Sequence, residues 1–130
     1  MEAVIIVAPR NYGSVLQSRI PKCYDVTRRA DGSIIVDDGS TRIYVIQHDS
    51  IPHDFDANEL KAVQAVVEDP QFFAVEFSDI EFCRKFLVVI ADDSRLIVDN
   101  DHGVLLRGSE FAQVLRSRSD WDWRVESLPV

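Results

Sequence analysis

Three clusters of side chains in this 130-residue chain have types and spacing that chemistry can use. The first is Asp99-Asn100-Asp101-His102-Gly103. Carboxylates two residues apart project from one side of a continuing strand, as a general acid–base pair or a divalent-cation site requires. With His102 as a base, Asp99 and Asp101 would make a metal-dependent hydrolase. A calcium loop of the EF-hand kind needs further oxygen ligands and a distal Glu, which are missing. Asn, Asp and Gly also build tight turns between strands, and turn chemistry explains these residue types more completely.

The second cluster, His48 to Asp56, holds two His and three Asp. Pro52 interrupts it, and neither His sits at helical or CxxC-anchored spacing, so no metal site is expected there. The third is Trp121-Asp122-Trp123. On a strand both Trp share a face, either closing a core edge or, if exposed, anchoring an interface; burial statistics favour the core. No G-x-S-x-G, Cys/His signature or Gly-rich phosphate loop is present. The expectation is a chain with no enzymatic activity and no cofactor.

The elements that position these residues follow from periodicity. Ala3–Ala8 is a β-branched run closed by Pro9 and reads as a strand buried on both faces. Val15–Ile20 fits either a helical turn or an irregular lead into the next strand. Cys23–Arg28, Ser33–Val36 and Thr41–Gln47 form a meander, with Asp31-Gly32 and Asp38-Gly39 supplying the positive φ of hairpin turns. In Thr41–Gln47, Ile43, Val45 and Gln47 share one face and Tyr44 and Ile46 the other. Neither face is clearly polar, which predicts a central strand.

Asp56 with Glu59 forms a capping box for a helix carrying Leu60, Val63, Val66 and Val67, stopped at Asp69-Pro70. Phe72–Phe77 reads as a strand. Ser78 with Glu81 predicts a second capping box, opening an almost wholly apolar helix over Asp79–Ala91 whose wet side is Glu81, Arg84 and Lys85. Arg95–Val98 and Val104–Leu106 are strands joined around Asn100–Gly103. A helix from Gly108-Ser109 turns Phe111, Val114 and Leu115 inward, and Trp121–Val125 is the last strand. The expectation is a single α+β domain spanning 1–130: a mostly antiparallel sheet with about three helices packed on it in one layer.

Length and composition agree with this. One domain of 130 residues with 46% apolar and 28% charged residues has a sufficient core without disulfides or metals. Cys23 and Cys83 have no ligand spacing and read as buried thiols of a reducing compartment. The Met1–Arg10 segment lacks a secretory pattern, and no apolar run is long enough to span a membrane, so a cytoplasmic protein is expected. There are 22 carboxylates against 14 Lys and Arg, a net charge of −8. Residues 1–65 carry 9 acids and 7 bases, and residues 66–130 carry 13 and 7, so the excess lies in the second half. Such a field repels nucleic acid and anionic membrane and attracts basic partners.

The stretch Asp93–Leu115, DSRLIVDNDHGVLLRGSEFAQVL, is followed by WDW. It resembles small bacterial proteins with an (I/V)DND-x-G-x-(V/L)-x-x-G-x-E-F core and a downstream W-x-W, and VEFSDIEFCRKFL upstream fits the same pattern. These are the immunity proteins of polymorphic and contact-dependent growth-inhibition toxin systems. The similarity covers residues 70–125, about two-fifths of the chain. Its motif residues (Asp99, Asn100, Asp101, Gly103, Gly108, Phe111, Trp121, Trp123) read as fold determinants. The resemblance implies a cytoplasmic antidote that binds a cognate toxin, a basic nuclease domain, and occludes its active site or substrate groove. The acidic residues Asp92, Asp93, Asp99, Asp101, Asp120 and Asp122 are the candidate toxin-binding surface. The alternatives are the hydrolase above and a non-catalytic homo-oligomeric interaction domain.

Overall fold

A computed structural model describes residues 2–47, 51, 55–124 and 128. Seven strands form one antiparallel sheet: β1 (Glu2–Ala8), β2 (Asp25–Arg28), β3 (Ile34–Asp37), β4 (Arg42–Gln47), β5 (Gln71–Phe77), β6 (Ile97–Asp99) and β7 (Leu105–Arg107). Their order across the sheet is β2-β3-β4-β5-β1-β6-β7. Four helices complete the α+β fold: α1 (Tyr12–Arg19), α2 (Ala57–Val66), α3 (Ile80–Ile90) and α4 (Gly108–Ser117).

The most apolar strands are central, because only there are both faces covered. One face of the sheet (Val4, Ile6, Val36, Ile43, Val45, Val75, Phe77, Val98) packs against α1, α3 and α4 through Leu16, Phe86, Leu87, Phe111 and Leu115. The other face is covered in part by α2. Val63 and Val67 pack on Val7, Phe72 and Ile97, with Phe55 edge-on to Phe72. The helices therefore lie on two sides of the sheet, not in the single layer expected. β1 and β5 are apolar on both faces, so their composition could not say on which side a helix would dock.

The capping box of α2 forms as its spacing demands. Glu59 N donates to Asp56 Oδ1 at 2.7 Å, and Asp56 N donates to Glu59 Oε1 at 3.1 Å. The box expected at Ser78 does not form. Asp79 is the N-cap of α3, its Oδ1 accepting from Glu81 N at 2.9 Å and Phe82 N at 3.1 Å. With the helix starting at Ile80, Phe82 takes the third helical position, so Glu81 is too early to reach back to the cap. α1 resolves the open reading at Val15–Ile20 as a helix beginning at Tyr12. Its buried stripe is only Tyr12 and Leu16, too little for periodicity to mark. Tyr12 Oη donates to Ile90 O at 2.7 Å and so ties α1 to the end of α3.

Both turns place glycine at positive φ. Gly32 (φ 88°) closes a three-residue loop bounded by the Arg29 N–Ser33 O hydrogen bond. Gly39 (φ 101°) is first of the two central residues between Asp38 and Thr41, so the tight pair is Gly39-Ser40 and not Asp38-Gly39. Two further readings change. Cys23 is exposed, and only Cys83 is buried. Residues 121–124 do not form the expected last strand, and Val125 lies outside the described residues.

Candidate functional site

The Asp99–Gly103 segment turns because of its own side chains. Asp99 Oδ1 accepts from Asp101 N at 2.9 Å, and Asn100 Oδ1 accepts from both His102 N and Val104 N at 2.9 Å. Asp101 (φ 65°) and Gly103 (φ 97°) take the left-handed conformations that Asp and Gly tolerate best. The strand does not continue past Asp99, so Asp101 does not follow it on one strand face, and the Asp99 carboxylate is engaged in holding the turn. Asp99 is only 9% exposed, and burial raises its carboxyl above the usual range, against the pull of the Asp101 N–H. His102 Nε2 lies 3.9 Å from Glu2 Oε2. Among the described residues no three His, Cys, Asp or Glu side chains converge as metal ligands. The His48–Asp56 cluster lies mainly outside the described residues, and its Asp56 is the cap of α2.

Asn100 is the fixed point of this end of the molecule. It is 1% exposed, and its Nδ2 donates to Trp123 O at 2.6 Å. Both Trp are buried, Trp121 against Phe111 and Trp123 against Phe77. Arg84, placed on the wet side of α3 by its charge, lies over the Trp123 ring at 5.2 Å and donates to Trp121 O. The carbonyls of Trp121 and Trp123 are thus taken by side chains rather than by a strand ladder, which is why WDW packs without strand pairing.

The six acidic candidates do not form one surface. Asp92 and Asp93 follow the C-terminal end of α3, where Asp92 pairs with Arg116 and Asp93 with Arg95 and Arg19. Asp99 lies on the α2 face of the sheet with Glu59 near it, whereas Asp120 and Asp122 flank the Trp pair on the opposite face. There Asn100 and Arg84 hold the Trp121–Trp123 segment. Asp120 pairs with Arg118 and Asp122 with Arg124. Hydrogen bonds from Arg95 hold Asp93 down at about 2, and those from Arg124 hold Asp122 at about 2. Asp92, Asp93, Asp120 and Asp122 are therefore each paired with an arginine, while the net charge of −8 stands.

A different surface combines exposure with the residue types of a binding patch. On the α2 side of the sheet, Thr27, Ile35, Tyr44, Glu76 and Ala3 form one cross-strand row from β2 to β1. Beside it, α2 covers Ile5, Ala74 and Leu105. No described helix packs on the β2–β4 part of the row, and Ile35 and Tyr44 stay half-exposed. The Arg29 guanidinium sits 5.4 Å over the Tyr44 ring, and Arg42 Nε donates to Asp37 Oδ2 at 3.1 Å. An open cavity of about 450 Å³ adjoins it, lined by Asp37, Thr41, Arg42, Tyr44 and Ser78 among others. The sequence held one signal for this surface: the Tyr44/Ile46 side of β4 is too apolar for a plain solvent face.

Comparison with protein-family models, curated proteins and solved structures finds no match to this chain. No helix among the described residues is long and apolar enough to cross a membrane.

Proposed function

We propose that this chain is a non-catalytic binding protein of the immunity type, which docks on one cognate protein toxin in the cytoplasm and blocks it. The observation that carries this reading is the open sheet face centred on Tyr44. Tyr and Arg are among the residue types that dominate binding energy at protein interfaces, and here a half-exposed Tyr has Arg29 over its ring and shares a cavity lining with Arg42. Tyr supplies a large, rigid contact area at low entropic cost. Its position on a central strand fixes the ring before the partner arrives, which lowers the ordering cost of docking.

The same face carries Asp25, Asp37 and Glu76, so carboxylates outnumber the two guanidinium groups. With a net charge of −8, this favours a basic partner such as the substrate groove of a nuclease domain. The resemblance over residues 70–125 supplies the class of partner; the Tyr44 face supplies the means of holding it. Asp101, Asp120 and Asp122 add a second acidic region at the far end of the Asn100 turn and act by steering more than by contact. Co-expression with the C-terminal domain of the reading frame upstream of this chain's own tests the proposal, with growth arrest by that domain, rescue by this chain and a one-to-one complex as the expected result.

A further inference from the structure

β2 is an edge strand, and all four of its residues are exposed. Val26 is 48% exposed, the highest value among the large apolar side chains described. The pairing pattern fixes which of its backbone groups are open. Arg29 and Ser33 are hydrogen-bonded across the first hairpin, and hydrogen-bonded pairs alternate along an antiparallel ladder. Thr27 and Asp25 therefore bond inward to Ile35 and Asp37, while the N–H and C=O of Val26 and Arg28 point out of the sheet. Exposed edges of this kind are templates for another strand.

The charges on β2 say which strand fits. Asp25 lies opposite another carboxylate, Asp37, which is already paired with Arg42. Among the described residues neither Asp25, Arg28 nor Arg29 makes an ion pair within the chain. We propose that β2 pairs antiparallel with β2 of a second copy of this chain, about a two-fold axis at Thr27, to make one continuous sheet. In that register Val26 exchanges backbone hydrogen bonds with Arg28 of the second copy, twice by symmetry. Asp25 falls opposite Arg29 of the second copy, on the same face, also twice. Opposite charges and Thr–Thr pairs are both favourable cross-strand neighbours. An axis at Arg28 would set two guanidinium groups opposite each other, and one at Val26 would leave Asp25 opposite Thr27. Charged residues on an edge usually deter pairing with arbitrary strands. Here their order selects a self-complementary one. The contact shares Arg29 with the Tyr44 face and leaves Tyr44 and Arg42 open.

Sedimentation equilibrium of the purified chain should show a mass rising with concentration from 14.8 kDa toward twice that value. Val26→Pro should remain monomeric at every concentration with an unchanged circular-dichroism spectrum, since it removes an outward N–H that the β2–β3 ladder does not use. Asp25→Arg and Arg29→Asp should each abolish the dimer, and the double exchange should restore it. In a Cys23→Ser background, Thr27→Cys should cross-link on oxidation. Residues facing each other in a non-hydrogen-bonded pair have Cα atoms about 4.5 Å apart, within disulfide reach. Asp31→Cys in the same background should not cross-link. A wild-type chain that stays monomeric, a dimer that survives Val26→Pro, or a folded double exchange that stays monomeric would each overturn the proposal.

Discussion

The side-chain amide of Asn100 donates to the main-chain oxygen of Trp123 at 2.6 Å, across 23 residues of sequence. The same side chain accepts from His102 and Val104, so one residue shapes the β6–β7 turn and anchors the C-terminal Trp pair to it. The motif read from sequence as a possible acid–base centre thus serves as a structural joint through Asn100.

Replacement of Asn100 by Ala should be among the most damaging substitutions in the chain. It leaves the buried Val104 N–H, the part-buried His102 N–H and the Trp123 carbonyl without this partner, a buried group costing roughly 1–3 kcal/mol when unsatisfied. Urea unfolding should show a loss of about 3 kcal/mol or an unfolded chain. A loss under about 0.5 kcal/mol, the size of an ordinary surface substitution, would contradict the joint.

Gly108 should tolerate no side chain. A Cβ there would lie 2.1 Å from Ala91 O and 2.7 Å from Asp93 O, both backbone atoms that cannot swing aside. Gly108 N also donates to Leu96 O at 2.9 Å, fixing the approach of α4 to the loop after α3. Gly108→Ala should cost about 1–3 kcal/mol, the range for overpacked sites. Thermal unfolding of this single variant is sufficient to check it.

Acid stability should depend on two carboxylates and be opposed by a third. Asp93 and Asp122 are held at about 2 in the folded state, below their unfolded value. The stability they contribute is present above about pH 4, the ordinary Asp range, and is lost as pH falls toward 2. Arg95→Gln should raise the pH of acid unfolding, because Arg95 makes the largest contribution at Asp93. Asp99 runs the other way. Its folded value is raised, so the fold gains stability as pH falls through that value and is weakened when Asp99 ionises. Asp99→Asn should raise stability at pH 7 while keeping an oxygen for the Asp101 N–H. Urea midpoints measured from pH 7 to pH 2 separate the two signs.

These features differ in how far the sequence could reveal them. The α2 box was legible because Asp56 and Glu59 are local partners whose spacing alone closes both hydrogen bonds. The turn glycines were legible for the same reason: positive φ is a local demand. WDW misled because its alternation has the period of a strand, while its carbonyls are claimed by Arg84 and Asn100, which are distant in sequence. The acidic six read as one surface because charge was counted along the chain. The placement of Asp99 on the α2 face, and the pairing of Asp93, Asp92, Asp120 and Asp122 with Arg95, Arg116, Arg118 and Arg124, exist only once the chain has folded.

The Tyr44 face should matter for binding and little for folding. Tyr44→Ala should weaken the toxin complex by about 2 kcal/mol or more, the scale of an interface hot spot, or roughly 30-fold in Kd. Isothermal titration with the wild-type and variant chains reads this directly, with thermal unfolding as the control. Equal affinities would move the contact surface elsewhere.

The most direct measurement is co-expression of this chain with the C-terminal domain of the reading frame upstream of its own, scoring growth and the stoichiometry of any purified complex. Immunity-type binding requires that the domain alone arrests growth, that the wild-type chain restores it, and that the two purify in equal amounts. Growth arrest that the folded chain does not relieve, with no complex recovered, would contradict it.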